Sequence, residues 1–447
     1  MEVVFASSFL DGGTGFWNLR ATVEMLCYKS RSLPRLRCPA CFIAASKLQN
    51  PLCPLRYFMF KIVMANSSIA IYQDNYIIEN HMFGTMVEVK VLLIVAFGSE
   101  ISESRALHGI RIIQATTATR RTMLISDSGQ VYAFGKESFG EAEIGIHGSK
   151  MVTTPQLVDS LKNIFVVQAA IGNFFTAVLS REGRVYTFSW GNDGKLCHNT
   201  DPNDVEPRPL LGALEHIPVV QIAAGFCYLL CLACQPSGMS VYSVGCGLGG
   251  KLGHGSKTDE KFPRLIEQFQ LLNLKPMVVA AGAWHAAVVG QDGRICTWGW
   301  GRYGCLGHGN EECESVPKVV EGLRDVKAVH VATGDYTTFV VADNGDVYSF
   351  GCGESANLGH IPENHEEGDM HANVLSPKLV TSMKEMNEKV VQISLTNSVY
   401  WNAHTLAITE SGKLYGFGAG DKGQLGVELG ANQTERGKPE QLDIDLR

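Results

Sequence analysis

The stretch Asp292–Gly309, which reads DGRICTWGWGRYGCLGHG, decides the fold of this chain. It begins with the turn dipeptide Asp292-Gly293 and continues as a short, largely apolar run from Ile295 to Trp298. A loop with a glycine at nearly every bend follows. Because glycine accepts positive φ angles and close backbone approach, the backbone sets the shape of such a loop. The stretch is therefore predicted as a β-strand that ends in a loop of fixed shape.

Copies of this unit return along the chain at a nearly constant period. Three further short strands precede each copy and, with it, are predicted to form one repeat: a strand led by proline, then a strand of small residues, then an apolar strand before the turn. A fixed period indicates a repeat architecture, and four antiparallel strands per repeat are typical of a β-propeller blade. Equivalent positions in the six copies are Tyr132, Tyr186, Tyr242, Cys296, Tyr348 and Tyr415, with separations of 54, 56, 54, 52 and 67 residues.

The fold is predicted as all-β, a β-propeller formed by residues 85–447. Lys438–Leu442 resembles one more proline-led strand with no repeat after it, and Thr85–Gly98 resembles a last strand with little before it. Pairing these two strands would complete a seventh blade from both chain ends and leave no open sheet edge. We therefore expect seven blades of four antiparallel strands. Six blades with an unrelated N-terminal strand are the alternative.

Residues 1–84 differ from the rest and are treated as a separate Cys/Pro-rich segment. The segment is basic and has no clear helical or strand period. A zinc site of Cys27, Cys38, Cys41 and Cys53 is disfavoured because the outer two cysteines are poorly placed. A transit peptide, a poorly ordered extension and a start region that is not the natural one remain alternatives.

The bulk composition narrows the class of partner. The net charge is −7, so nucleic acid is not predicted as a partner. The longest apolar run, Val91–Phe97, is too short to span a membrane. Thirteen cysteines at irregular spacing favour a reducing compartment, so we expect the cytoplasm, the nucleus or both. Gly245–Lys251 has the spacing of a phosphate-binding loop, but Leu252 replaces the metal-binding Ser or Thr. No catalytic residues, metal or cofactor are predicted, and the protein is not expected to be an enzyme.

The loops Gly304–Gly309 and Gly250–Gly255 share the pattern Gly-x-Leu-Gly-His-Gly. Together with the turn and the last strand, this pattern resembles the regulator of chromosome condensation repeat family over roughly residues 112–446. The resemblance implies a seven-bladed propeller, and we expect a plant-type member. Known roles of the family are nucleotide exchange on the small GTPase Ran, ultraviolet-B reception in plants, and protein interaction. A shared fold does not choose among them.

Two of these roles lose support in the loops and at the N-terminus. The ultraviolet-B branch repeats Gly-Trp-Arg-His-Thr, whereas the equivalent loops here begin Gly172-Asn173, Gly225-Phe226, Gly282-Ala283 and Gly334-Asp335. The tryptophan and arginine that follow glycine in that branch are absent from these loops. The basic tail expected for chromatin attachment is replaced by the Cys/Pro-rich segment. Exchange on a small Ran-like GTPase is kept as the alternative function, and photoreception as a less favoured one.

Residues that recur in several blades are interpreted as scaffold. His198, His254, His308 and His360 stand at the same place in the glycine loop, so we expect them to hold that loop by hydrogen bonds. Features that single blades add are better candidates for function. Pro377 follows His360 by seventeen positions, against nine for the equivalent pair in two other blades, and the extra residues 361–371 are acidic.

Strand parity places the blade-specific residues together. In four antiparallel strands, the loop between the small-residue strand and the apolar strand emerges on the same side as the loop after the last strand. We therefore predict one face that binds a protein partner through aromatic, arginine and acidic side chains. The alternative is that the acidic loop is a solvated insertion and that Trp284 packs within its own loop. The predicted partner-binding residues are Trp284, His285, Trp300, Arg302, Tyr303, Asp335, Tyr336, Glu366, Glu367, Tyr400 and Trp401.

Overall fold

A computed structural model describes residues 107, 109–118, 121–136, 151–173, 175–189, 206–360, 371–395, 403–420, 425, 429 and 433–442, and four short strands between residues 70 and 103. Most of the segment 1–84, with the four cysteines of the zinc alternative, lies outside the described residues, as does His198. Among the described residues, no helix is long and apolar enough to cross a membrane.

The described chain forms four-stranded antiparallel sheets in which the strands follow sequence order. The first sheet contains β1 (Ala70–Gln73), β2 (Tyr76–Glu79), β3 (Leu92–Val95) and β4 (Ile101–Glu103). Six sheets built from the repeat follow and are called blades I to VI. Blade I contains β5 (Ile112–Ala118), β6 (Arg121–Ser126), β7 (Val131–Lys136) and β8 (Met151–Leu157). Blade II contains β9 (Val166–Ile171), β10 (Phe175–Ser180), β11 (Val185–Ser189) and β12 (Arg208–Pro209).

The remaining four blades repeat this order. Blade III contains β13 (Val219–Ala224), β14 (Tyr228–Gln235), β15 (Gly238–Gly245) and β16 (Glu260–Leu265). Blade IV contains β17 (Pro276–Ala281), β18 (His285–Gly290), β19 (Ile295–Gly299) and β20 (Glu314–Val319). Blade V contains β21 (Ala328–Thr333), β22 (Thr337–Ala342), β23 (Val347–Gly351) and β24 (Val374–Leu379). Blade VI contains β25 (Val390–Leu395), β26 (His404–Thr409), β27 (Leu414–Ala419) and β28 (Glu435–Gln441).

Short helices lie only in connections between the described strands. Within the described ranges, the α-helices are α1 (Gln268–Leu271) and α2 (Thr381–Glu385), and the 3-10 turns are Asp159–Leu161, Leu248–Gly250, Arg302–Gly304 and Glu321–Leu323.

The all-β propeller is confirmed, but the prediction of seven blades is wrong, because the repeat builds six blades of four strands. The reason is the phase of the repeat. The proline-led strand closes the blade before it rather than opening the next one, so β28 pairs with β27 inside blade VI. β3, which lies in the region predicted to pair with β28, pairs instead with β2 and β4. The proposed closure by the two chain ends is therefore wrong as well.

The core lies between neighbouring blades. The second strand of a blade is buried on both faces, as in β18, where all six residues are buried. This explains why these strands read as continuous apolar runs rather than as alternating ones. Of the side chains that the structure describes, Trp298 is the largest that is fully buried. Its Nε1 donates to the carbonyl oxygen of Lys251 in the neighbouring blade at 3.0 Å.

Glutamine side chains join the first strands of neighbouring blades, which the sequence analysis missed. Gln168 Nε2 donates to the carbonyl oxygen of Ile222 at 2.9 Å, and Gln168 Oε1 accepts from the N–H of Ile222 at 2.9 Å. Side chains at the same register position repeat the bridge, and blade IV has Val278 there. The other bridging pairs are Gln114 with Ala169, Gln221 with Val279, and His330 with Ile393.

Three of the four recurrent loop histidines lie in the described residues, and these three make the predicted hydrogen bonds. Ser243 Oγ donates its proton to the carbonyl oxygen of Leu252 at 2.7 Å. His254 Nε2 lies 2.8 Å from the same hydroxyl, so the imidazole donates its Nε2–H there. His308 with Thr297 and His360 with Ser349 repeat the arrangement. Burial lowers the pKa of His254 to about 4, which keeps the ring neutral.

Candidate functional site

The candidate site forms where two loops of each blade meet at one end of blades III to V. The loop before the second strand and the residue after the third strand are joined by a backbone hydrogen bond. In blade IV, the N–H of Trp300 donates to the carbonyl oxygen of Trp284 at 3.0 Å. The equivalent bonds join Cys246 to Cys227 in blade III and Cys352 to Tyr336 in blade V, each at 2.9 Å. The two loops therefore lie together at the same end of these three blades.

Five aromatic rings from these loops form one cluster, which we call the aromatic cluster. Trp284 is at its centre and stacks on Phe226 with ring centroids 5.1 Å apart. The ring of Trp300 meets Trp284 edge-on at 5.3 Å, and the ring of Tyr336 lies nearly parallel to it at 6.5 Å. Tyr303 meets Tyr336 edge-on at 5.1 Å. All five side chains are partly exposed, so the cluster is a surface feature spanning blades III to V.

Tyr303 is held in an unusual backbone conformation. Its φ is 59°, in the left-handed region, and the equivalent position in blade III is Gly249 with φ 77°. Glycine adopts this region without steric cost, whereas a bulky side chain there costs about 1–2 kcal/mol. The chain therefore tolerates a strained tyrosine where another blade uses glycine. Such strain in a non-glycine residue is a reason to look for function.

Two cations lie against the cluster in different environments. The guanidinium of Arg302 is exposed and lies 5.1 Å from the centroid of the Tyr303 ring. Lys251 is fully buried, and its Nζ lies 5.2 Å from the centroid of the Trp284 ring. Positive charge over an aromatic face is stabilised by the ring quadrupole. Exposed Leu248 lies on the same rim, since its neighbour Gly249 contacts Trp300.

His285 does not lie on the surface. Its side chain is fully buried, and its Nε2 lies 2.7 Å from Thr338 Oγ1. Thr338 Oγ1 donates to the carbonyl oxygen of Cys305, so the imidazole supplies the proton of the His285–Thr338 bond. Burial lowers the pKa of His285 to about 4. This residue supports the cluster from below and is not available to a partner.

The other predicted site residues have different outcomes. Trp284, Trp300, Arg302, Tyr303 and Tyr336 are brought together. Asp335 is partly exposed. Burial of Tyr336 raises the pKa of its hydroxyl, and the charge of Asp335 raises it further. The predictions for Glu366, Glu367, Tyr400 and Trp401 fall outside the described residues. Trp284 packs against rings of three blades rather than within its own loop, so that part of the alternative is wrong, whereas the acidic loop lies outside the described residues.

Sequence reasoning missed three polar residues beside the cluster. Lys251 Nζ donates to Cys246 Sγ at 3.5 Å, and the N–H of Cys246 donates to the carbonyl oxygen of Cys227 at 2.9 Å. The neighbouring thiol of Cys227, the backbone at Leu248 and the charge of Lys251 lower the pKa of Cys246 to about 6. Internal alignment gives a signal: Lys251 stands where Cys305 and Asn357 stand in the next two blades.

The electrostatics do not point to a metal centre. In the part of the chain that the structure describes, no group of three or more His, Cys, Asp or Glu side chains could hold a metal ion. The site therefore consists of a partly exposed aromatic surface, with the exposed Arg302 and the thiol of Cys246, whose pKa is lowered, beside it.

The comparisons with known proteins agree with the fold. The family model of the RCC1-like domain matches residues 99–400, and the model of the regulator of chromosome condensation (RCC1) repeat matches residues 402–424. The ultraviolet-B receptor UVR8 of Arabidopsis thaliana is 33% identical over 336 residues, which cover 73% of this chain and 71% of the receptor.

Two further relatives differ in what they share with the chain. The human E3 ubiquitin-protein ligase HERC2 is 31% identical over 324 residues, which are 72% of this chain but only 6% of the ligase. The crystal structure of Prp20p from Saccharomyces cerevisiae superposes with a TM-score of 0.59 at 21% identity, covering 74% of this chain and 76% of Prp20p. At that identity the similarity to Prp20p shows a common fold. With both family models and the receptor in agreement, the chain belongs to the regulator of chromosome condensation repeat family.

Proposed function

We propose that this protein is a non-enzymatic interaction propeller that binds a protein partner through the aromatic cluster and Arg302. The observation that carries the proposal is Tyr303, an aromatic side chain kept in the left-handed region at the surface of the cluster. A scaffold under selection for stability alone would place glycine there, as blade III does with Gly249.

The composition of the surface supports the same conclusion. Tryptophan, tyrosine and arginine are the side chains that most often dominate the energy of protein interfaces. Trp300 and Tyr303 present large, rigid rings, and the exposed Arg302 adds a planar donor group between them and solvent. The proposal keeps the predicted insertion 361–371 and the predicted residues Tyr400 and Trp401 as further parts of the binding face.

The proposal also includes the cellular setting. The eight cysteines among the described residues are free thiols. Free buried thiols suit a reducing compartment, so we place the protein in the cytoplasm, the nucleus or both. Prp20p has been studied for binding to Gsp1p and histones, and yeast RCC1 (Prp20) has been crystallised bound to Kap60. A protein partner is therefore in keeping with the family.

The test compares variants that change the cluster without harming the fold. Captured proteins from the native cell extract are quantified for the wild type, Trp300→Ala and Tyr303→Gly. Phe262→Ala serves as the control, because Phe262 is an aromatic residue 51% exposed outside the cluster. We expect the captured amount of a defined partner to fall by about tenfold or more with Trp300→Ala and Tyr303→Gly, and to stay unchanged with Phe262→Ala. Equal recovery of that partner by all four proteins would contradict the proposal.

The alternative function, guanine-nucleotide exchange on a small Ran-like GTPase, is tested directly with the same purified protein. Release of a fluorescent guanine nucleotide from purified Ran is measured with and without the propeller. We expect only the spontaneous rate. An acceleration that Trp300→Ala leaves intact would favour exchange through another surface.

A further inference from the structure

We propose that Cys246 and Cys227 form an oxidisable dithiol that reacts with hydroperoxides and closes a disulfide between the two loops of blade III. The inference concerns chemistry of the chain itself and does not depend on the proposed partner.

The backbone geometry places the two cysteines opposite each other. Cys227 precedes β14 and Cys246 follows β15, and the N–H of Cys246 donates to the carbonyl oxygen of Cys227 at 2.9 Å. Residues that pair in this way across antiparallel strands have Cα atoms about 5.5 Å apart. Disulfides form at Cα separations of about 4.4–6.8 Å. The backbone bond holds the two residues within this range, so the bridge needs no large backbone movement.

The surroundings make Cys246 the attacking thiol. Lys251 Nζ donates to the sulfur of Cys246 at 3.5 Å, and its charge lowers the pKa of that thiol. The charge of Asp259, whose Oδ1 accepts from the N–H of Gly247, raises the same pKa. Cys246 is half-buried and therefore accessible to a small oxidant. The pKa of Cys227 is raised, chiefly by the neighbouring thiol of Cys246 and then by burial, so Cys227 keeps its proton.

The reaction balances in two steps with a hydroperoxide as the oxidant. The Cys246 thiolate attacks the terminal peroxide oxygen, the O–O bond breaks, and sulfenic acid and an alcohol, or water from hydrogen peroxide, are formed after uptake of one proton. The sulfur of Cys227 then attacks the sulfur of the sulfenic acid. The S–O bond breaks, the disulfide forms, and the proton of Cys227 leaves with the hydroxide as water.

The internal repeat shows that this arrangement belongs to blade III. The position of Cys246 is Trp300 in blade IV and Cys352 in blade V, and the position of Lys251 is Cys305 in blade IV. Blade IV therefore has rings where blade III has the dithiol. Lys251 touches both, because its Nζ lies 3.5 Å from Cys246 Sγ and 5.2 Å from the centroid of the Trp284 ring.

The expected rate advantage depends on pH. With a pKa of about 6, Cys246 is about half ionised at pH 6, against about 0.3% for a free cysteine of pKa about 8.5. Intrinsic nucleophilicity falls with pKa by a Brønsted slope of about 0.45, which removes about a factor of 13. Cys246 should therefore react about tenfold faster than an ordinary exposed cysteine at pH 6, and only about twofold faster at pH 7.

The experiment uses the reduced full chain, hydrogen peroxide at pH 6, alkylation of remaining thiols, and peptide mass spectrometry. Cys313, which is exposed, is the internal comparator. We expect a Cys227–Cys246 disulfide that dithiothreitol reverses, formed about tenfold faster than Cys313 is lost. In Cys227→Ser, dimedone should trap sulfenic acid at Cys246. Reaction of Cys246 no faster than Cys313, or a disulfide from Cys246 to another cysteine, would overturn the proposal.

A lysine variant separates activation from folding. Lys251→Met keeps an apolar chain of similar length but removes the charge beside Cys246. We expect the pH midpoint of iodoacetamide alkylation at Cys246 to rise by about one unit while the circular dichroism spectrum and the thermal midpoint show a folded protein. A folded variant with an unchanged midpoint would remove Lys251 from the mechanism.

Discussion

The glutamine bridges between first strands allow a stability test in which the chain supplies its own reference. Gln168 makes two hydrogen bonds to the backbone of Ile222, both at 2.9 Å. Blade IV has Val278 at the equivalent position, where no such bridge can form. The exchange Gln168→Val in blade II and the reverse exchange Val278→Gln in blade IV therefore test one position in both directions.

The magnitude follows from the two bonds. Each is worth about 1 kcal/mol net, so Gln168→Val removes about 2 kcal/mol. Valine recovers part of this, because it suits a strand and loses less side-chain entropy on folding than glutamine. We expect a net loss of about 1 kcal/mol. For Val278→Gln, the new bonds to the backbone of Val331 are offset by the entropy of ordering the longer side chain, so we expect a gain of less than about 1 kcal/mol.

The assay is urea unfolding at pH 7, followed by circular dichroism. With a slope of about 3 kcal/mol/M, a loss of about 1 kcal/mol lowers the midpoint by about 0.3 M. The matched control is Gln270→Val on the exposed side of α1, which should shift the midpoint much less. A midpoint for Gln168→Val equal to or above that of the wild type would refute the bridging role. So would a Val278→Gln variant less stable than the wild type by about 1 kcal/mol.

Three further predictions follow from the loops and the cluster. Tyr303→Gly should leave the free energy of unfolding within about 1 kcal/mol of the wild type despite the loss of a ring, because it relieves the left-handed strain; calorimetry checks this. Gly282→Ala should destabilise by about 3 kcal/mol or aggregate on expression, because a Cβ there would lie 2.1 Å from the carbonyl oxygen of Gly334; soluble yield and the thermal midpoint check this. Stability should fall as the pH drops from 6.5 towards 4, because burial lowers the pKa of His254 and His360 to about 4 and the unfolded chain takes up the protons first. His254→Gln should reduce that slope by less than about 1.4 kcal/mol per pH unit, since the ring is partly exposed; urea midpoints at several pH values check this.

The strands, the turns and the loop histidines could be predicted because each depends on local sequence. Asp292-Gly293 marks a turn wherever it is placed, and the period of the equivalent residues from Tyr132 to Tyr415 indicates blades without any tertiary information. The number of blades could not be predicted in the same way. A cyclic repeat has no intrinsic starting point, so only the pairing of β28 with β27 shows which blade owns the proline-led strand.

The polar contacts between blades were missed for a related reason. In an alternating strand, Gln168 reads as a solvent-facing residue, and only the spacing of neighbouring first strands shows that its amide reaches Ile222. Lys251 was read as part of a rejected phosphate-binding pattern, although it is fully buried beside Cys246. A charge in a loop predicts exposure by default, and tertiary packing overrides that default here.

Cys246 and Trp300 occupy a position of the repeat at which the residue type differs between blades. Gly245 and Gly299, each before the residue in question, have positive φ and close contacts with the opposite loop, so neither can change without strain. The residues after them, Cys246 and Trp300, point away from that constraint and differ between blades. The same scaffold step therefore presents a thiol in blade III and an aromatic ring in blade IV. The Nζ of Lys251 lies 3.5 Å from Cys246 Sγ and 5.2 Å from the centroid of the Trp284 ring, which packs edge-on against Trp300. We therefore expect a change of charge at the thiol to affect the aromatic cluster through this one buried side chain.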